Sequence, residues 1–237
     1  MTTPLTPKVA AVILARLDSS RLPGKALLPV AGIPLILRVY RRLMSQLEHL
    51  PIVLATTDRP CDSPLAEVFE AHGGRVYRGG AEEVQNVAKR FIEAAKSVGA
   101  DYALRINGDS PFPSYELLTS ALPFIKAGQS DLITNLLPRT YPYGISLEVV
   151  RVSSLDKHLP LLSDSEKEHV TAVFYAHPDS FQITAVPPSP WEPCPHRLTV
   201  DEPGDLALME RIFALLGPHP ETATLPEVIA AARKIHQ

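Results

Sequence analysis

A three-layer α/β/α fold around a mostly parallel sheet is what this sequence predicts, and two observations predict it. Short apolar runs rich in branched residues alternate with amphipathic stretches of roughly 10 to 15 residues, as repeated βαβ units require. The polar loops between them leave the carboxyl ends of the predicted strands, which is where ligands bind in such sheets.

Residues 9–14, Val-Ala-Ala-Val-Ile-Leu, are short and branched enough for a buried first strand. A polar loop over 15–25 follows, and then a helical pattern over 36–44. Residues 51–56 form the second strand; Ser63 is placed to cap a helix over 65–72 that stops at Gly73-Gly74. A short third strand, 75–78, leads to a long helix over 82–98 and a fourth strand over 101–106. A helix over 115–126 and a strand over 131–135 come next. The loops at 15–25, 56–59, 78–82 and 107–111 should therefore converge on one edge of the sheet.

The second half changes character. Residues 141–150 alternate, with Ile145, Leu147 and Val149 on one face and Ser146 and Glu148 on the other, which predicts a hairpin strand. Helices around 155–158 and over 165–176, strands over 181–186 and 197–200, and helices over 206–216 and 226–235 complete the chain. No clean linker or repeat interrupts it, so the expectation is one domain, 1–237, with a hairpin or lid subregion over 140–196.

At 237 residues the chain can bury a sizeable core. A net charge of −3 argues against bulk nucleic-acid binding, so any phosphate affinity must be local. The 24 prolines are about twice the usual share of roughly 5%; they gather over 187–195 and near both ends, and read as loop formers. Cys61 and Cys194 are isolated, which favours a reducing setting, and no apolar run approaches the length of a membrane span. The expected location is the cytoplasm, with no membrane and no nucleic acid among the partners.

The chemistry concentrates in Leu14-Ala15-Arg16-Leu17-Asp18-Ser19-Ser20-Arg21-Leu22-Pro23-Gly24-Lys25. Three cations, two hydroxyls and a glycine at the end of a first strand suit a polyphosphate, through charge-assisted hydrogen bonds and freed backbone N–H groups. Neither G-x-x-x-x-G-K-[ST] nor G-x-G-x-x-G is present. The competing reading is a solvated basic loop. Asp109, in Asn107-Gly108-Asp109-Ser110-Pro111, either helps hold a divalent metal or forms a turn. Asp201, two residues before Pro203, either partners it or caps a helix.

Ala15-Arg16-Leu17-Asp18-Ser19-Ser20-Arg21-Leu22-Pro23-Gly24-Lys25 resembles the signature loop of the cytidylyltransferase family, which includes the CMP-Kdo and CMP-sialic acid synthetases and the spore-coat-polysaccharide group. Gly108-Asp109-Ser110-Pro111 and Val200-Asp201-Glu202-Pro203-Gly204-Asp205-Leu206 resemble its two metal motifs, with Glu202 where relatives usually carry Thr. The resemblance runs in order from Val9 to Leu216. It implies a Rossmann-like sheet of the nucleotide-diphospho-sugar transferase type and metal-dependent transfer of CMP from CTP to an acidic acceptor, a sugar acid or phosphonate. Lys25, Arg16, Arg21 and Asp109 are then the catalytic candidates. Leu14, Ala15, Arg16, Ser19, Arg21, Gly24, Lys25, Asn107 and Asp109 are the nucleotide-binding ones, and Asp109 and Asp201 the ligands of Mg2+. The implied partners are CTP and a small anionic acceptor, with a homodimer left open.

The acceptor side departs from the family. Relatives read roughly Y-P-D-G-L-D-V-E-V where this chain has Tyr141-Pro-Tyr-Gly-Ile-Ser-Leu-Glu-Val149, so two aspartates have become Tyr143 and Ser146. Tyr141, Glu148, His169 and Arg197 are the acceptor-binding candidates. His169 is set against a packed helical histidine, and Arg197 against an edge-strand cation. Glu82-Glu83-Val84-Gln85-Asn86 matches the family's nucleotide-placing segment only loosely, which leaves base selection open. Two other readings stand beside the first: a glycosyltransferase of the same general fold, for which Asn107-Gly108-Asp109 offers only the last residue of a D-x-D motif, and a non-catalytic nucleotide-binding subunit.

Overall fold

The computed structural model describes residues 7–47, 49–191 and 194–235; Glu192 and Pro193 of the proline-rich loop, and the proline near the amino terminus, Pro4, lie outside the described residues. The chain opens with β1 (Val9–Leu14), a small antiparallel pair β2 (Pro29–Val30) and β3 (Ile33–Pro34), and helix α1 (Leu35–Gln46). Then come β4 (Ile52–Thr57), α2 (Ser63–Ala71), β5 (Arg75–Gly79), α3 (Val87–Lys96), β6 (Tyr102–Asn107) and α4 (Tyr115–Ala127). The second half supplies β7 (Leu132–Thr134), β8 (Glu148–Arg151), α5 (Val152–His158), α6 (Asp164–Glu168), α7 (Ala172–Ala176), β9 (Ile183–Ala185), α8 (Pro203–Leu216) and α9 (Leu225–Arg233).

Seven strands form one sheet in the order β5-β4-β1-β6-β8-β7-β9. Every neighbouring pair is parallel except the two that β8 makes, with β6 and β7. The mostly parallel sheet expected from the sequence is thus the sheet found. Side-chain alternation along the strands divides the core in two. Ala11, Ile13, Leu54, Leu104 and Ile106 pack against α1, α2, α4, α8 and α9. Val12, Val53, Ala55, Ala103 and Val150 pack on the other face, against α3, α5 and α7. Strands buried on both faces explain why their sequences read as continuous apolar runs.

Four expectations need correction. The helix placed over 82–98 begins only at Val87: residues Ala81–Glu83 form a 3-10 turn, and Asn86 caps α3 by accepting the Lys89 N–H at 2.9 Å. The helix over 165–176 is two short ones, α6 and α7. The hairpin strand over 141–150 is reduced to β8, because the buried Asn135 side chain bonds the Ile145 carbonyl (3.1 Å) and the Leu147 N–H (2.8 Å) in place of a ladder. Residues 197–200 form no strand, and the chain bends at Thr199. Their N–H groups go to isolated carbonyls, Leu198 to Tyr143 (2.7 Å) and Val200 to Asp109 (2.9 Å). The β2–β3 pair is an addition the sequence reading lacked.

Candidate active site

Leu14 at the end of β1 lies in register with Asn107 of β6 and Ala55 of β4, so the following loops leave the same edge. The loop after β1 folds back on itself: the Gly24 N–H donates to the Leu17 carbonyl at 2.8 Å. Gly24 has φ 70°, a left-handed conformation that strains any residue with a Cβ. Gly108 is needed for a different reason, since a Cβ there would lie 2.7 Å from that of Ala15. The two chain segments therefore approach closely and open a cleft of about 390 Å³, whose wall includes Arg16, Ser19, Arg21, Lys25 and Asp109, with Leu14 and Ala15 at the strand end.

The Lys25 ammonium joins three distant parts of the chain. It donates to Asp109 Oδ2 at 2.7 Å, to Asp201 Oδ1 at 3.0 Å and to the Val200 carbonyl at 3.0 Å. Asp201 also receives Arg21 at 2.8 Å and Arg197 at 3.0 Å. The helix-capping alternative for Asp201 fails, because Glu202 occupies the N-cap of α8. The Asp205 carboxylate accepts the N–H groups of Asp201 and Glu202, at 2.8 and 2.9 Å, and leaves the Asp201 carboxylate facing the cations.

The far side of the loop is fixed by a second charge network. Asp62, fully buried, accepts the Leu17 N–H at 2.8 Å and the Thr57 hydroxyl. Arg59 pairs with Asp18 at 2.8 Å and Asp62 at 2.9 Å, and its hydrogen bond holds the Asp18 carboxyl below the usual carboxylate range. Arg16 reaches the Val84 carbonyl at 2.8 Å, tying the loop to the segment before α3. Arg90 donates to the Glu83 carbonyl beside it; burial lowers its pKa to about 10.

A second cavity, about 330 Å³, adjoins Asp109 through Asn107 and Ser110. Arg105, Tyr143, Glu148, His169, Tyr175 and Thr199 line it. The Glu148 carboxylate is committed to the protein: one oxygen accepts from Arg105, the other from the Tyr175 hydroxyl at 2.8 Å. Burial, and then the Glu148 charge, push the Tyr175 hydroxyl pKa well up. Tyr143 lies between two guanidiniums, Arg139 and Arg197, each 4.5 Å from its ring centre.

Residues 10–207 match the family model described as cytidylyltransferase. The chain belongs to the cytidylyltransferase family. It is 30% identical over 225 residues to the spore coat polysaccharide biosynthesis protein SpsF of Bacillus subtilis, covering 90% of this chain and 89% of that one. The 3-deoxy-manno-octulosonate cytidylyltransferase of Chlorobium chlorochromatii is 35% identical over 129 residues, covering 54% of this chain and 50% of its own. Among solved structures, a cytidylyltransferase from Leptospira borgpetersenii superposes with a TM-score of 0.87 at 25% identity, covering 96% of this chain and 94% of that one. The protein is accordingly a nucleotidyltransferase.

Within this cytidylyltransferase, the sequence candidates fall into three groups. Arg16, Ser19, Arg21, Lys25 and Asp109 meet at the first cleft, and Asp201 joins them through Lys25. Asn107 faces the second cavity instead, because it alternates with Ile106 along β6. His169 and Glu148 line that cavity too, whereas Arg197 reaches it only by stacking on Tyr143. Tyr141 lines neither cavity: its ring packs edge-on against Trp191, 6.1 Å between centres. Sequence reasoning missed Arg59, Asp62, Arg105 and Arg139. Arg105 was detectable as the single charge in the otherwise apolar run of β6.

The family implies a divalent cation at Asp109 and Asp201, and the two carboxylates fit one. A single ammonium lies within 3.0 Å of both, so one small cation can be shared between them. The donors are hard oxygens of the kind magnesium takes. Among the described residues no group of three or more His, Cys, Asp and Glu could hold a metal, so the remaining ligands would be phosphate oxygens and water. No helix among the described residues is long and apolar enough to cross a membrane.

Proposed function

We propose that this chain transfers CMP from CTP to a small anionic acceptor, releasing pyrophosphate, with the cleft beside Lys25 taking the nucleotide and the second cavity the acceptor. The observation that carries this reading is the Lys25 ammonium, held between Asp109 and Asp201 on the wall of a cleft built from the Arg16–Arg21 loop. Arg16, Arg21 and Lys25 are suited to bind the triphosphate and to offset the charge that builds on the leaving pyrophosphate. An acceptor oxygen attacks the α-phosphorus in line, a new P–O bond forms, and the bond to the β-phosphate breaks. No protein nucleophile is required. Asp109 and Asp201 would hold a magnesium ion, which would supply further charge neutralisation at the phosphates.

What supports an anionic acceptor is the charge around the second cavity. Arg105 and Arg139 line it and Arg197 flanks it, while Glu148 is already bonded to Arg105 and Tyr175. A carboxylate or phosphonate on the acceptor answers that surplus, and His169 is available beside it. Tyr143 and Ser146, where the family resemblance leads to an expectation of aspartates, place no negative charge there to repel such a group.

The test is a pyrophosphate-release screen with CTP, magnesium and a panel of 3-deoxy-manno-octulosonate, other 2-keto sugar acids and small phosphonates. Turnover with at least one acidic acceptor is expected, together with greater thermal stabilisation by CTP than by UTP, ATP or GTP. Stronger stabilisation by another triphosphate would move the protein to a different nucleotide.

A further inference from the structure

The Lys25 ammonium lies between Asp109 and Asp201, the two carboxylates suited to a divalent cation. Three cationic side chains, Lys25, Arg21 and Arg197, converge on two carboxylates, so both carboxylates are already neutralised by the protein's own cations. The three are not equivalent. Arg21 and Arg197 are 57% and 54% exposed and approach Asp201 from its open side. Lys25, 15% exposed, is the one that touches both carboxylates, and it is also anchored on the Val200 carbonyl. A divalent ion bound by the same two oxygens needs the space that the ammonium fills. Its arrival without an anion would set a doubly charged ion beside Arg21, Arg197 and the displaced ammonium in a cleft partly shielded from water, which is electrostatically unfavourable.

We propose that Lys25 is a placeholder cation that keeps free divalent metal off Asp109 and Asp201, so that metal enters only when a triphosphate draws the ammonium into the cleft. The inference rests on the cytidylyltransferase reading above and goes beyond it, by assigning Lys25 a role before the nucleotide arrives. A triphosphate makes the exchange possible in two ways. It carries enough negative charge to offset both Lys25 and the metal, and it lies on the side of the ammonium that faces the cleft, since Lys25 is part of that cleft's wall. Lys25 is suited to this because an ammonium on a four-carbon stem can swing between two anionic partners, where a planar guanidinium is fixed by its fork. The same residue thus neutralises the carboxylates in the empty enzyme and the phosphates in the loaded one. The consequence is an order of events: the enzyme takes up the metal–nucleotide complex and does not collect free metal first.

The experiment measures Mn2+ binding to the full, nucleotide-free chain, by loss of the free-Mn2+ electron paramagnetic resonance signal at constant ionic strength. Wild type, Lys25→Met, Lys25→Gln, Asp109→Asn and the double variant Lys25→Met/Asp109→Asn are compared, each checked for folding by its melting transition. Wild type should bind Mn2+ weakly. Lys25→Met and Lys25→Gln should bind it at least about tenfold more tightly, equivalent to about 1.4 kcal/mol. The double variant should lose that gain. Equal binding by wild type and both Lys25 variants overturns the proposal, as does a gain that survives Asp109→Asn. A CTP-dependent rise in wild-type melting temperature is read separately. Its absence counts against the functional reading, while the nucleotide-free comparison alone decides the role of Lys25.

Discussion

Lys25 shows how far a single residue can depart from its sequence-level expectation. As a solvated loop lysine, its removal would change stability by no more than about 0.5 kcal/mol. In the folded chain it is the only cation paired with Asp109 among the described ion pairs, while Asp201 keeps Arg21 and Arg197, so Lys25→Ala should cost about 1 kcal/mol, the low end of the range for leaving such a group without its partner. Chemical denaturation measures this directly. Catalytic efficiency towards CTP should fall about 10- to 100-fold, since a charge-assisted hydrogen bond is worth roughly 1.5–3 kcal/mol, and Lys25→Arg should recover part of it. A stable Lys25→Ala enzyme with unchanged kcat/KM would remove the loop from the active site. Asp109 gives the complementary expectation. Asp109→Ala should abolish turnover and make CTP binding insensitive to magnesium while the fold persists, read by isothermal titration with and without the ion.

At the scale of elements, two joints position the site and each has a diagnostic residue. The start of α3 depends on Asn86, whose side chain accepts the Lys89 N–H while the turn before it holds Val84 against Arg16. Asn86→Ala should destabilise the protein by about 0.5–2 kcal/mol, the usual cost of a lost N-cap, measured by urea denaturation. The second joint is Gly144, at φ 96°, where an added Cβ would lie 2.2 Å from the Leu198 carbonyl oxygen. That contact carries the segment leading to Asp201. Gly144→Ala should therefore lower the melting temperature and, because residues 197–201 must shift, reduce turnover more than a surface substitution of equal size would. Retained activity with an unchanged melting temperature would show that the segment is positioned from elsewhere.

At the scale of the whole molecule, Glu116 links α4 to α9 by accepting the Leu225 N–H at 3.0 Å, and it also accepts the Ser114 hydroxyl at 2.8 Å. Burial alone would raise its pKa, but these hydrogen bonds outweigh it and lower the pKa below the ordinary value of 4.5. A carboxyl whose folded pKa is depressed stabilises the fold above its unfolded pKa and loses that contribution as the pH falls through the folded value. Unfolding free energy should thus decline below about pH 4.5, and Glu116→Gln should flatten part of that decline. Urea titrations at pH 7 and pH 3.5 for both proteins check it; parallel slopes would exclude Glu116.

Local pattern by itself determined the parallel sheet, its helical cover and the loop carrying Arg16, Arg21 and Lys25. Runs such as residues 9–14 and 52–55 are apolar because both faces of their strands are buried, and that constraint is written residue by residue. Gly24, at φ 70°, likewise follows from a local backbone need, whereas Gly108 answers to the close approach of Ala15 from a distant part of the chain. Tertiary structure alone decided which charges meet. Lys25, Asp109 and Asp201 are brought within 3.0 Å of one ammonium although 84 and 176 positions of chain separate them. It also decided that Glu148 bonds Arg105 and Tyr175, that Tyr141 packs on Trp191, and that residues 197–200 form no ladder. The physical reason is the same in each case. Burial periodicity repeats every two or about 3.6 residues and is visible in a short window, whereas an ion pair or a ring contact depends on where the folded sheet places its strand ends.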